Sequence, residues 1–434
     1  MDRRLFLVRS GLALGSSVLA ARARSGGPVP LPLDTWEAVR SQFDLDPDRV
    51  HMSLFYLASH PKPVRDAIEA FRKALDRNPV EYHLDNEDKL EASVLASAAD
   101  YLRVSHEDLA MTDSTTMGLG LLYGGLKLRE GQEILTTIHD HYACETSLKQ
   151  RAERTGSTLR QIALYRDLRT VSQQELVDTL VTNIAPATRV VAATWVHSST
   201  GLKLPIRPMA DAIARINATR AEADRVLFCV DGVHGLGVED PRLSDLGCDF
   251  FVAGCHKWLF GPRGTGLVWG KPTAWPAATS IIPTTVLPAY MMWMKVMPPK
   301  ELPPGIRMTP GGFHSFEHRW ALGEAFAFHA RIGTARVTAR IHELNRQLKE
   351  GLAAMPHVTL HTPMAPELSA GITCFEVKGM RALQAVNRLR QRKVIACISP
   401  YATIYARLAP NLLTMPADVE TALREVRDLA NGTG

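Results

Sequence analysis

Cysteine is scarce in this chain and its spacing carries no pairing signal. Six cysteines, at positions 144, 229, 248, 255, 374 and 397, are scattered over 434 residues. They form no CxxC step and no zinc-ligand pattern, so mostly free, buried thiols are expected. Charge of one sign is also missing: 50 Lys and Arg stand against 45 Asp and Glu, a net +5. Without residues 1–23, which hold Arg3, Arg4, Arg9, Arg22 and Asp2, the net charge falls to +2. That balance excludes a nucleic-acid partner recognised through phosphate charge. The apolar stretch from Gly11 to Ala21 is too short to span a membrane as a helix. What is abundant is core material. With 46% hydrophobic and 22% charged residues, the chain buries a sizeable core, and its length fits one large and one smaller domain.

The N-terminus carries its own signal. Asp2-Arg3-Arg4-Leu5-Phe6-Leu7 is similar to a twin-arginine export motif, and Ala21-Arg22-Ala23 offers a small-residue cleavage site. Residues 1–27 are therefore expected to be a twin-arginine signal peptide that engages the export machinery and directs the chain to the periplasm. A Pro-rich arm over 28–50, amphipathic around Trp36 to Phe43, is expected to pack on the body.

Apolar runs alternate with helical patterns through the middle of the chain, which indicates a mainly parallel sheet with helices on its faces. Two of these runs end in chemistry. Phe251 to Gly266 reads FVAGCHKWLFGPRGTG, placing Lys257 on a loop after a strand, among His256, Trp258 and Phe260. Desolvation there disfavours the ammonium and leaves a usable amine, as a Schiff-base lysine needs; the alternative is an ordinary lysine after a strand. Earlier, the run Val226 to Val230 ends in Asp231. A carboxylate at the end of a buried strand needs a cation, and a protonated pyridine nitrogen supplies one. A strand ending in Asp, followed by a strand ending in Lys, is the pyridoxal phosphate pattern.

The pair VDGVHGLG and CHKWLFGPRGTG resembles the class V aminotransferases, and CHKWL most resembles their isopenicillin N epimerase-like branch. The resemblance covers roughly Val50 to the C-terminus. It implies an α/β chain of the PLP-dependent transferase fold (aspartate aminotransferase-like), with a mainly parallel central sheet and a smaller C-terminal α/β domain. The expected boundaries are 51–308 and 309–434, in a homodimer.

Site residues follow from residue types and from the resemblance together. Thr115 and Thr116 open a helix, where free N–H groups cup a phosphate; simple N-capping by Ser114 or Thr115 is the alternative. His139 and His141 would face one side of an extended segment, but no third metal ligand is near. The resemblance instead stacks His141 on the cofactor ring, with Asp140 before it and Tyr142 as fallback. It places Ser198 near the cofactor's phenolic oxygen. His234 either reaches that oxygen or is a turn histidine satisfied by backbone. Lys257 and His141 carry the catalytic roles, and His256 is counted among the cofactor contacts. Arg407 matches the arginine that holds the substrate α-carboxylate, against a plain surface arginine on the last strand. Two departures stand out: Gly254 where many relatives have Ser or Asn, and Gly312-Phe313 where they have Gly-Thr reaching the neighbouring subunit's phosphate. His314, Ser315 or backbone N–H groups are the substitutes.

The resemblance implies chemistry at the α-carbon of an amino acid, or of a peptide with a free amino-acid group, of epimerase, transaminase or oxidative decarboxylation type. Because pyridoxal phosphate is acquired in the cytoplasm, export of the folded holoprotein fits the twin-arginine route. In location and family the chain resembles periplasmic enzymes that tailor pyoverdine siderophores. A cysteine desulfurase or C–S lyase is the alternative, although Ser399 to Ile404 holds no cysteine and Cys397 lies within a strand. A non-catalytic cofactor- or amino-acid-binding protein is the alternative of another class. The segment from Ile281 to Gly305, with Met291, Met292, Met294, Met297 and Trp293 between prolines, either lines an entrance for a bulky substrate or connects domains internally.

Overall fold

The computed structural model describes residues 33–240 and 242–430, so the expected signal peptide lies outside the described residues. Within the described part of the arm, helix Trp36–Arg40 is capped by Thr35, and Trp36 sits under the guanidinium of Arg336, 4.4 Å from the ring centroid. Strand β1 (Val50–His51) follows, then helices Lys62–Arg77 and Pro79–Leu102, both packed against helix Phe316–Ile332. The first turns of the second helix are solvent-facing, and burial begins only at Val94. An exposed turn carries no apolar period to read.

Seven strands build the main sheet: β2 (Leu109–Thr112), β3 (Glu133–Thr137), β4 (Thr158–Ile162), β5 (Thr188–Thr194), β6 (Leu227–Asp231), β7 (Phe250–Gly254) and β8 (Gly266–Gly270). Their order is β2-β8-β7-β6-β5-β3-β4. All neighbouring pairs are parallel except those made by β8, which runs against both β7 and β2. β5, β6 and β7 are buried along their whole length, as strands covered by helices on both faces must be.

The C-terminal part forms a second, antiparallel sheet from β9 (Val358–Leu360), β10 (Thr373–Val377), β12 (Cys397–Ile398) and β13 (Ala406–Leu408), in the order β12-β13-β10-β9. Between them lies β11 (Val394–Ile395). Val394 to Ile398 holds two short strands: β11 pairs in parallel with β1, while β12 pairs with β13. Ala396 is where the chain leaves one partner for the other, a choice made by residues over 300 positions away. The Met-rich segment holds a short helix, Leu287–Trp293, with no buried residue. This corrects the internal-connection reading. Among the described residues no helix is long and apolar enough to cross a membrane.

One turn below the site depends on glycine. Gly201 has φ +76, and a Cβ there would lie 2.3 Å from the Ile372 carbonyl oxygen. Gly201→Ala is expected to destabilise the cofactor-loaded protein by on the order of 2 kcal/mol, read as a lower denaturant midpoint; an unchanged midpoint would show that the turn relaxes freely.

Candidate active site

The C-terminal ends of β2, β3, β5, β6 and β7 converge on one cavity of about 220 Å³. It is lined by Thr115, Thr116, His141, Ser198, Asp231, His234, His256 and Lys257, together with Ser114 and Thr194. In an α/β sheet this is where ligands bind, because strand ends there feed loops and helix N-termini into one crevice.

After β2, Ser114 caps the helix Thr115–Gly125, its Oγ accepting from the Met117 N–H at 3.1 Å. Capping is thus the work of Ser114, and among the described residues it leaves the buried Thr115 hydroxyl without a partner. His256 Nδ1 is likewise buried and unpartnered. Gly254 explains how both fit: a Cβ there would stand 2.8 Å from Thr115 Oγ1 and 2.9 Å from His256 Cε1. A Ser or Asn would collide with the residues that take its place. Unspent hydroxyl and N–H groups at a helix N-terminus suit a phosphate. His314 Nε2 lies 3.6 Å from Glu91 Oε1, on a neighbouring helix. Phe313 is 91% exposed. Sequence reasoning missed Arg319, which is buried and donates to Asp113 Oδ1 at 3.3 Å, just ahead of the cup.

Lys257 stands on a tight turn between β7 and β8. Phe260 N–H donates to the Lys257 carbonyl at 3.0 Å and Gly261 N–H to the Cys255 carbonyl at 2.9 Å. Phe260 is buried with φ +56, a conformation held by packing against Phe43 at 5.1 Å. The Lys257 Nζ lies 3.2 Å from His234 Nε2. Trp258 Nε1 donates to His234 Nδ1 at 3.2 Å, which corrects the backbone-satisfied turn reading. An indole N–H only donates, so this network assigns the His234 proton to Nε2, and that N–H faces Lys257. In that tautomer the Nε2–H points at Lys257 Nζ, which accepts once the amine has lost its proton. Burial, and to a lesser degree Arg407, pull the Lys257 pKa down to about 8 against the opposing pull of Asp231. Burial, with Lys257 and Arg407 adding to it, keeps His234 well below its usual range.

Asp231 ends β6 fully enclosed. Among the described residues its carboxylate accepts one hydrogen bond, from the Val233 N–H at 3.1 Å. Burial pushes its pKa up to about 6, although Val233 and Lys257 lower it. It is a carboxylate short of a cation.

His141 caps the helix Tyr142–Thr155, its Nδ1 accepting from the Ala143 N–H. Burial first, then Lys257 and Arg407, lower its pKa. Asp140 is a structural clip, accepting from Thr136, Thr137 and the Thr194 N–H across β3 and β5. Tyr142, the fallback ring, is 74% exposed, which removes it from the site. The His139–His141 pairing also fails, because the strand ends at Thr137 and the chain turns. His139 stacks on Tyr165 at 4.3 Å instead, and no group able to hold a metal ion occurs among the described residues.

Arg407 is buried, not a surface residue. Nη1 donates to the Ser198 carbonyl at 2.8 Å and Nη2 to the Ile398 carbonyl at 2.6 Å, with the Phe55 ring 4.9 Å beneath. Its Nε is buried without a partner among the described residues. Phe55, Trp258 and Tyr401, whose hydroxyl lies 2.7 Å from Ser198 Oγ, were not anticipated as site residues. Only the side-chain packing reveals them.

The unmet needs at these strand ends belong to one kind of ligand: a phosphate for the Thr115 cup, a pyridinium for Asp231 and a carbonyl carbon for the neutral amine of Lys257. Fold and site together define a pyridoxal phosphate-dependent enzyme. The aminotransferase class-V family model matches residues 58–399, and the chain belongs to that family. It is 28% identical to the isopenicillin N epimerase of Streptomyces clavuligerus over 353 residues, 79% of this chain and 84% of that protein. It is 28% identical to a cysteine desulfurase of Salmonella typhimurium over 349 residues, covering 75% and 80%. Among solved structures, a mutant of C-DES with glycine covalently linked to its PLP cofactor superposes with a TM-score of 0.81 at 21% identity, covering 90% of this chain and 99% of that one.

Capture of pyridoxal phosphate by the cofactor-free protein needs the neutral amine, so its rate should rise with pH through about 8 and then level off. Trp258→Phe frees His234 to move its proton to Nδ1 and accept from an ammonium, which should shift that midpoint upward. A midpoint near that of ordinary lysine in the unsubstituted protein would contradict the tautomer argument.

Proposed function

We propose that this enzyme acts at the α-carbon of an amino acid, or of a peptide carrying a free amino-acid group, by epimerase, transaminase or oxidative decarboxylation chemistry. The observation that carries the reading is Arg407. Its guanidinium is buried and pinned by two carbonyls, yet Nε remains unspent. A fixed guanidinium with N–H groups to spare is a carboxylate receptor, and a charge-assisted contact of that kind orients its ligand. It is close enough to Lys257 to lower that lysine's pKa, so one substrate can present its carboxylate to Arg407 and its amine to the cofactor end.

Bound pyridoxal phosphate supplies the electron sink that makes the bonds at an amino acid's α-carbon breakable. Asp231 keeps a pyridine nitrogen protonated, because the pair relieves the desolvation of both partners. Lys257 would hold the cofactor, and its amine, with a pKa lowered to about 8, would take and return a proton at the substrate's α-carbon. His141 flanks the cavity as a neutral ring suited to stacking, with Ser198 and His234 offering polar contacts to the cofactor's edge. Thr115, Thr116 and His256 hold the phosphate.

A cysteine desulfurase needs a thiolate on an accessible, mobile loop. All six cysteines are free, and five are buried; Cys397 is half-buried within β12, paired across to Arg407. That arrangement favours the α-carbon reading over the desulfurase one. A purely binding role has no use for a lysine of lowered pKa beside a carboxylate that it offsets only in part.

We further propose a homodimer exported through the twin-arginine route to the periplasm, with tailoring of a peptide siderophore such as pyoverdine as one role there. The large exposed aromatics Tyr56, Tyr142, Trp293 and Phe313 support a partner surface, and Arg3-Arg4 supports the route.

Purified holoenzyme incubated with amino acids and with peptides bearing a free α-amino acid is expected to change its cofactor absorbance and yield a product of altered mass or configuration. Arg407→Ala should weaken substrates with a free carboxylate by about ten- to a hundredfold, while Cys397→Ala leaves turnover intact. Persulfide formation from cysteine that is lost in Cys397→Ala would restore the desulfurase reading. For export, changing Arg3 and Arg4 together to Lys should leave cofactor-loaded protein in the cytoplasm; unaltered delivery to the periplasm would mean another route.

A further inference from the structure

We propose that Tyr401 closes the substrate side of the site and reads the substrate's carboxylate jointly with Arg407, an inference that rests on the α-amino-acid reading above. The loop that carries it joins β12 to β13 and is pinned at its root. Ser399 N–H donates to the Tyr405 carbonyl at 2.9 Å, and Ser399 Oγ accepts from the Tyr405 N–H at 2.8 Å. Ala402, Thr403 and Ile404 face solvent, whereas Tyr401 turns inward. Its hydroxyl lies 2.7 Å from Ser198 Oγ. Its ring stands edge-on to His141, centroids 6.2 Å apart at 77°. Both neighbours line the cavity that holds Lys257.

Arg407 grips the same two places from behind, donating to the Ser198 carbonyl and to the Ile398 carbonyl at the root of the loop. One guanidinium therefore sets the position of Ser198 and of the strand that launches Tyr401. Burial first, then the nearby Asp231 and Asp140, raise the phenol's pKa to about 12, against the Ser198 hydrogen bond and Arg407. It keeps its proton at neutral pH and serves as a donor. With no carboxylate present its hydroxyl is engaged with Ser198 Oγ. An entering carboxylate takes one hydrogen bond from Arg407 and one from Tyr401, which exchanges Ser198 Oγ for a carboxylate oxygen. The tyrosine ring then forms the wall beside the substrate's α-carbon.

The test uses holoenzyme with two probes, l-alanine and ethylamine, followed by the cofactor's absorbance. Tyr401→Phe keeps the ring and removes only the donor. Alanine binding should weaken roughly tenfold, with ethylamine binding, cofactor retention and melting temperature unchanged. Equal alanine affinity in wild type and Tyr401→Phe overturns the inference alone. Parallel loss of alanine binding, ethylamine binding and cofactor retention also overturns it, since that marks a merely structural residue. A wild type that responds to no amine at all defeats the α-amino-acid reading, and this inference with it.

Discussion

A single indole N–H, that of Trp258, governs the protonation of the groups around it. The ring is buried and stacked 5.9 Å from Phe55, and Gly371 leaves it room that a Cβ would fill at 2.4 Å. It cannot turn away, and leaving its donor unpaired in the core would cost about 1–3 kcal/mol. The donor is therefore spent on His234 Nδ1. From that bond follow the His234 tautomer and the direction of its remaining N–H toward Lys257. A lysine merely buried would be less basic; one facing a fixed N–H donor is also aimed.

Asp231 carries the opposite imbalance. It is a carboxylate enclosed at the end of a buried strand; Lys257 offsets that burial only in part, and the carboxylate's raised pKa of about 6 records the desolvation. The helix start at Thr115 is unbalanced as well, with a hydroxyl that meets no partner among the described residues. Such unmet groups cost stability in the cofactor-free protein and are relieved when a ligand of matching charge arrives. The pyridoxal phosphate site is in this sense a set of complementary deficits held rigid by the sheet. Gly254 belongs to the same logic: its missing side chain makes room for Thr115 and His256.

The second sheet contributes reach. Arg407, on β13, crosses to the Ser198 loop of the main sheet and ties the two together through a buried hydrogen bond. Because Phe55 from the N-terminal segment lies under the same guanidinium, three remote parts of the chain meet at one charge. The proposed carboxylate contact thus stands where the two sheets join, while Lys257 and Asp231 belong to the main sheet.

Much of this was legible in the residues. Lys257 and Asp231 each follow an apolar run, and a run of that kind makes a buried strand whose end is a strand end in any fold that contains it. Ser114 before Thr115 announced a helix start through local capping chemistry, and six cysteines without spacing announced free thiols, as found. The resemblance to class V aminotransferases supplied the order of these pieces. Other features had no local signature. Tyr142 and His141 are chain neighbours, yet one is exposed and the other faces the cavity, because the strand stops at Thr137 and the helix begins at Tyr142. The break at Ala396 depends on β1, and the role of Tyr401 on a serine 203 residues away. Local sequence determined where strands and helices begin and which groups stand at their ends, since those depend on neighbours within a few residues. Which of those groups touch, and therefore which protonation state each holds, was decided only by the tertiary structure, because strand order and packing bring together residues that the chain keeps far apart.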